Sequence, residues 1–170
     1  KGTLWFFNGG KFDCYFLWKH LVKLGYNIKP DSILKHGNTI LTFTILTGEE
    51  KKKGEIDVKD LYRFLPGSLL SNCKAFDIPK KYWKKDFNHE LIKNWEDVET
   101  HKAEYEKYLK YDIISLTEIY KAYAKMVFES HKLHVCKFVT ASHLVMAAWV
   151  GKLDKRQQDL LIKTNVMDEE

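Results

Sequence analysis

The stretch that most constrains this chain is Leu4 to Trp18, LWFFNGGKFDCYFLW. Leu4 to Phe7 are four consecutive apolar residues, the pattern of a short buried strand. Asn8-Gly9-Gly10 ends that run, because adjacent glycines bring backbone freedom and no packing surface. From Lys11 onward Phe12, Cys14, Tyr15, Phe16, Leu17, Leu21, Val22 and Leu24 fall at helical spacing. The stretch predicts strand, tight turn and helix, with Asn8 at the strand's carboxyl end and Asp13 in the first helical turn. Ligands of open α/β sheets bind at that place. An acid there also suits the helix dipole, so Asp13 reads equally as a helix-start residue.

A chain of 170 residues accommodates one ordinary domain, or one plus a partial extension. Its 45% apolar and 14% aromatic content argues for a packed core and against disorder. No run approaches the length of a membrane span, and the first residues read as strand, not as a signal peptide. A start at Lys1, without Met, is the start expected of a trimmed, processed or partial chain. Cys14, Cys73 and Cys136 are widely spaced with no Cys-x-x-Cys pair, which predicts reduced core thiols in an intracellular or organellar protein. The net charge of +5 rests almost wholly on lysine, with Arg63 and Arg156 the only arginines. Lysine is a point charge suited to phosphates and poor at reading bases, which fits sequence-independent contact with a nucleic-acid backbone. The same lysines also fit an ordinary solvated surface.

Beyond the first helix, Gly25 to Asp31 reads as a turn-rich connection, followed by strands at Ser32–Lys35 and Thr39–Thr47. A charged tip at Glu49–Lys53 leads to a third strand at Gly54–Val58, which makes a mixed sheet. Asp60–Phe64 reads as a turn, and Ser68 as the cap of a helix to Phe76 that turns Leu69, Leu70, Cys73 and Phe76 inward. Ile78–His89 interleaves Lys80, Lys81, Lys84 and Lys85 with Tyr82, Trp83 and Phe87. Such a loop can track a single strand by phosphate contact and base stacking, or can be a surface loop anchored by its aromatics.

Glu99–Phe128 is the longest helical pattern, with Tyr105, Tyr108, Leu109, Asp112, Ile113, Leu116, Ile119, Tyr120 and Tyr123 in one broad stripe. Tyr108 and Asp112 stand four apart and share a face. A carboxylate within an apolar stripe needs a partner or a metal unless it sits at the stripe's exposed edge. His131, His134, Cys136 and His143 gather after that helix, but no second spaced pair completes a zinc set. Thr140–Lys152 reads as a further helix, with Leu144, Val145, Ala148 and Trp149 apolar, and Gly151–Glu170 as a charged, fraying end.

Asn8-Gly9-Gly10-Lys11-Phe12-Asp13 resembles the second exonuclease motif of family B DNA polymerases: Asn, a short spacer, an aromatic, then Asp. Its flavour is most similar to the protein-primed branch found in phages, linear mitochondrial plasmids and virus-like elements. Some 95 residues later Tyr108-Leu109-Lys110-Tyr111-Asp112 resembles the third motif, Tyr, three spacers, Asp. LYRFLPGSLLSNCKAFDI is similar to the segment ahead of the family's lysine motif, for which Lys84-Lys85-Asp86-Phe87 is the match. Tyr82-x-x-x-Asp86 also fits the third pattern and reads as a decoy in a surface loop. The family's first motif, Asp-x-Glu, is expected some tens of residues before Asn8, where only seven residues stand. An Asp-x-Glu, Asp97-Val98-Glu99, does occur, but it comes after the second motif.

The resemblance, over roughly residues 4 to 128, implies an α/β ribonuclease H-like exonuclease fold: a mixed sheet flanked by helices, lacking its first strand or strands. It implies an exonuclease-like domain over 1–130 and a helical extension toward a polymerase domain over 131–170. Catalytic roles fall to Asp13, Tyr108, Asp112 and Lys84, with Asp13 and Asp112 as carboxylates for Mg²⁺, held weakly without the missing pair. Tyr108 would orient the attacking water, Lys84 would support the scissile phosphate, and Asn8 and Phe12 would hold the primer end. Lys81 and Lys85 would add nucleic-acid contacts. Single-stranded DNA or another nucleic acid and the remainder of a polymerase or larger complex are the implied partners, with no membrane, in a mitochondrion or a virus-infected cell. The alternative is a degenerate polymerase-derived domain, kept as a non-catalytic nucleic-acid-binding or structural part of an assembly such as an organellar ribonucleoprotein.

Overall fold

The structure, a computed structural model, describes residues 1–48 and 54–166. The expected charged tip at Glu49–Lys53 and the last four residues lie outside the described residues. Strand β1 (Gly2–Phe6) passes through a 3₁₀ turn at Gly9–Lys11 into helix α1 (Asp13–Lys23). Strands β2 (Asn27–Ile28), β3 (Leu34–His36), β4 (Thr39–Thr47) and β5 (Gly54–Asp60) follow. They form a five-stranded sheet in the order β1-β5-β4-β2, with β3 also paired to β4. β4 is antiparallel to β2, β3 and β5, whereas β1 runs parallel to β5. The mixed sheet is therefore as expected, and with its flanking helices it is consistent with a ribonuclease H-like fold.

Two local expectations change. Asn27–Ile28 is a short strand rather than a turn, paired with Ile45 and Leu46. Ser32 lies in a 3₁₀ turn at Pro30–Ser32 rather than in a strand, because Pro30 fixes its own φ and the Ser32 hydroxyl replaces a sheet rung. That hydroxyl donates to the Lys29 carbonyl and accepts from the Thr44 N–H at 2.8 Å.

The two faces of the sheet carry separate apolar clusters. On one, Cys14, Leu17, Trp18 and Leu21 of α1 cover Phe43, Ile45 and Val58. On the other, Trp5 packs against Phe64 and Tyr120, beneath helices α2 (Leu69–Ala75) and α4 (Lys102–His131). Each of the fully buried aliphatic and aromatic side chains in these clusters stabilises the fold by about 1.5–3 kcal/mol. Ser68 caps α2 through a reciprocal pair with Ser71. Leu70 is exposed rather than inward; Asn72 takes the inner place, its amide donating to the Ser68 carbonyl. The buried stripe of α4 is Tyr108, Ser115, Ile119, Tyr123 and Val127, spaced by four or seven, which leaves Leu109 and Ile113 in solvent.

A short helix α3 (Trp95–Thr100) precedes α4, and α5 (Ala141–Val150) and α6 (Lys155–Val166) follow it. Thr140 caps α5, and Leu144 is buried while Val145 and Trp149 are exposed. Residues 155–166 continue as a helix where fraying was expected, started by an Asp154–Gln157 side-chain cap. Val135, Phe138 and Leu144 share the core of Leu61 and Ile119, so packing is continuous across residue 131. The buried Lys59 ammonium reinforces that join by donating to the carbonyls of Cys136 and Phe138. Burial lowers its pKa, against the opposing pull of the Asp57 carboxylate.

Asp60, 1% exposed, holds the turn after β1 in place. One of its oxygens accepts from the Asn8 N–H at 2.7 Å and the Tyr62 N–H at 3.1 Å, and the other from the Gly10 N–H at 3.2 Å. Gly10 is required by close approach: a Cβ there would meet the Ile40 carbonyl oxygen at 2.5 Å. Replacing Asp60 with Ala strands three donors in a water-poor site. We expect Asp60→Ala to lower stability by about 3 kcal/mol or more, read from the urea midpoint, with Asp60→Asn milder because its amide oxygen still accepts. Burial first, then the nearby Asp60 and Asp13 charges, pushes the Cys14 thiol up to about 11. Alkylation of the native protein near pH 8, followed by mass spectrometry, should therefore label half-buried Cys136 first and Cys14 only on unfolding.

Candidate functional site

The β1–α1 turn sets Asn8 in an unusual backbone conformation, φ 60°, which asparagine tolerates better than most residues. Its N–H is held by Asp60, and its side chain caps nothing. Asn8 instead lines a cleft of about 470 Å³ shared with Phe7, Ser68, Lys84, Asp86 and Asp112. Asn8, Lys84 and Asp112 belong to three separate sequence motifs, and the fold brings them to one cleft.

The lysine arrives on an irregular segment that is stapled twice. Trp83 Nε1 donates to the Ile78 carbonyl at 2.6 Å, and Ser115 Oγ on α4 donates to the Tyr82 carbonyl at 2.7 Å. Lys84 Nζ then reaches the Tyr108 hydroxyl at 2.8 Å and the Asp112 Oδ1 at 3.5 Å, and lies 4.7 Å from the Tyr108 ring centroid. Tyr108 and Asp112 meet the same ammonium because they stand one turn apart on α4. Phe87, His89 and Tyr105 pack around the Tyr108 ring and fix its direction. Burial, the largest single influence, pulls the Lys84 pKa down, but the Tyr108 hydroxyl and the Asp112 carboxylate outweigh it and hold the net value above the usual lysine. Among the described residues Asp112 Oδ1 is buried without a hydrogen-bond donor, and Lys84 stands at ion-pair distance from it.

The other expected residues lie around this centre. Asp13 is exposed at the first position of α1 and is not among the residues lining the cleft. Phe12, just before it, is 69% exposed. Lys81 and Lys85 are exposed, each 4.7 Å from an aromatic centroid, Tyr82 and Tyr111 respectively. Lys85 also lines a second depression beside the first, with Phe87, Lys107 and Tyr108, and Asp86 borders both. Asp86 therefore lies in an exposed loop, as its decoy reading requires, and yet faces the cleft. Its position inside the lysine motif was the available signal. Asp60, the buried organiser of the turn, carried no motif signal at all.

Asp97 of the Asp97-Val98-Glu99 tripeptide completes a capping box with Asn94 at the start of α3. His134 packs at a tilt against Phe128, and His143 meets Phe138 edge to face. Among the described residues no three His, Cys, Asp or Glu side chains stand together as a metal set. The orphaned Asp112 oxygen is a suitable hard donor, but Lys84 already neutralises it, and Mg²⁺ demands near-octahedral oxygen coordination. These residues alone do not fit a two-metal centre. No described helix is long and apolar enough to cross a membrane.

Residues 1–106 match the family described as DNA polymerase type B, organellar and viral, a span that includes the asparagine–aspartate motif and the lysine motif. No curated protein and no solved structure matches the chain. With well over half of its length matched and an α/β fold to suit, the chain belongs to the organellar and viral type B DNA polymerases.

Proposed function

We propose that this chain is the 3′–5′ exonuclease region of a protein-primed polymerase, and that its cleft receives the 3′ end of single-stranded DNA. The observation that carries the reading is the convergence of Asn8, Lys84 and Asp112 on one cleft, with Tyr108 bonded to Lys84. In this reading Lys84 gives its charge to the phosphate next to the scissile bond. The Tyr108 hydroxyl, held at 2.8 Å from that ammonium, orients the attacking water. Asn8 and exposed Phe12 hold the terminal nucleotide, and Lys81 and Lys85 draw the strand by phosphate contact. Asp13 and Asp112 would help to hold Mg²⁺ only together with carboxylates from other parts of a polymerase. Residues 1–130 form the exonuclease-like unit and 131–170 the extension toward the polymerase domain, in a mitochondrial or viral setting.

A second reading has its own support. Lys84 already balances Asp112, so the carboxylate has a charge partner without any metal. That favours a non-catalytic domain that binds nucleic acid within a larger assembly.

Both readings give the same behaviour for the 170-residue chain, and one assay tests it. With a labelled oligonucleotide, we expect no Mg²⁺- or Mn²⁺-dependent shortening, because two carboxylates do not hold and align two ions. Shortening that Asp13→Ala abolishes would overturn this. Binding of the same oligonucleotide should be weak and salt-sensitive. Lys84→Ala should lower affinity about three- to tenfold and reduce the salt slope by about 0.7, one phosphate contact on a single strand. The Lys84 charge, held above its usual range, should persist at all neutral and mildly alkaline pH. The stability that the raised pKa supplies is present below about pH 10.5 and fades as pH rises further through the folded value. Lys84→Met should therefore differ from the parent in thermal midpoint at pH 8 and converge with it at strongly alkaline pH.

A further inference from the structure

Away from the cleft, α1 and β3 together present an aromatic and basic surface. Tyr15, Phe16, Trp18, Lys19 and Lys35 line a shallow depression there. Lys35 Nζ lies 5.8 Å from the Tyr15 centroid and 5.7 Å from that of Trp18, so one ammonium spans two rings. The Tyr15 hydroxyl is anchored on the Asn38 carbonyl at 3.1 Å, which fixes its ring at the hairpin between β3 and β4. Phe16 is 72% exposed, an unusual state for a phenylalanine on a helix that also carries a core face. None of the lining residues is acidic, and His20 of α1 and His36 of β3 are also exposed.

We propose that this surface is a second contact for single-stranded nucleic acid, continuing the strand path from the cleft along α1. The chemistry matches a flexible polyanion: fixed aromatic rings for base stacking and two lysines for phosphates, with no bidentate arginine to read sequence. A protein partner would call for a drier, less charged centre, since lysine is depleted in such interfaces. Asn8 of the cleft leads within five residues into α1. Asp13 and Lys19 are separated by about 9 Å of helix rise, and Phe12 stands one turn from Phe16. The surface therefore selects for strand length and not for sequence. It rests on the nucleic-acid reading of the cleft and adds to it a distance requirement.

The test uses the 170-residue chain and fluorescein-labelled oligothymidylates of about 4 and about 12 nucleotides, a range spanning typical single-strand site sizes. Fluorescence anisotropy at low salt should show the longer strand bound more tightly. The double variant Lys19→Glu/Lys35→Glu should lose about 5- to 20-fold affinity for the longer strand and less than about twofold for the shorter. Lys85→Glu should weaken both lengths. Retention of wild-type affinity for the longer strand by the double variant, while Lys85→Glu still weakens it, would overturn this second contact and leave the cleft reading intact; the face would then belong to a protein partner. Equal binding of both lengths by the parent chain would also overturn it. An absence of binding by the parent chain, or indifference to both sets of substitutions, would defeat the cleft reading together with it. Tyr15→Leu with unchanged far-ultraviolet circular dichroism gives a second check: it should lower affinity for the longer strand alone.

Discussion

A single buried carboxylate holds the site together. Asp60 ends β5 beside the end of β1, and its two oxygens collect the N–H groups of Asn8, Gly10 and Tyr62. A charged acceptor with three backbone donors is among the stronger arrangements a protein interior offers, and each donor would be costly to leave unpaired. The arrangement fixes the left-handed turn at Asn8, the close approach of Gly10 to β4, and the point where α1 begins. Everything asked of Asn8, Phe12 and Asp13 depends on that placement.

The second half of the cleft depends on α4. Tyr108, Asp112 and Ser115 are successive members of one stripe, and each reaches the segment from Tyr82 to Phe87. Ser115 ties its backbone, Tyr108 and Asp112 fix its lysine, and the Tyr108 ring packs with Phe87. The loop is thus irregular without being loose. Its aromatics serve as anchors and its lysines face outward: Trp83 and Phe87 fasten it, while Lys81 and Lys85 remain exposed.

The mixed sheet, the α1 start and the capping of α2 were legible because each rests on local chemistry: an apolar run broken by glycines, a β-branched hairpin, a serine before a helix. The motifs carried Asn8, Lys84 and Asp112 to one cleft although some hundred residues separate the ends. Long-range pairing was not legible. Nothing in the sequence marks Asp60 as the acceptor for the first turn or Lys59 as the donor to Cys136 and Phe138, because neither belongs to a pattern and both act through tertiary contacts. Helical periodicity likewise marked Leu70, Leu109, Ile113, Val145 and Trp149 as apolar without telling which face would find a partner. That Asp86, a decoy in an exposed loop, also faces the cleft was not legible, since sequence cannot show that a loop folds back over a cleft.

Neighbouring positions on β5 also guard the sheet against its commonest error. Side chains alternate along a strand, so Lys59 and Asp60 leave on opposite faces, the ammonium toward two carbonyls and the carboxylate toward three N–H groups. A one-residue slip of β5 against β1 would exchange them. The ammonium would then face donors and the carboxylate would face carbonyl oxygens, with like meeting like in a dry interior. An apolar strand tolerates such a slip with little more than altered packing, whereas this one meets electrostatic repulsion on both faces at once. The adjacent pair thus acts as a proofreader of strand alignment during folding.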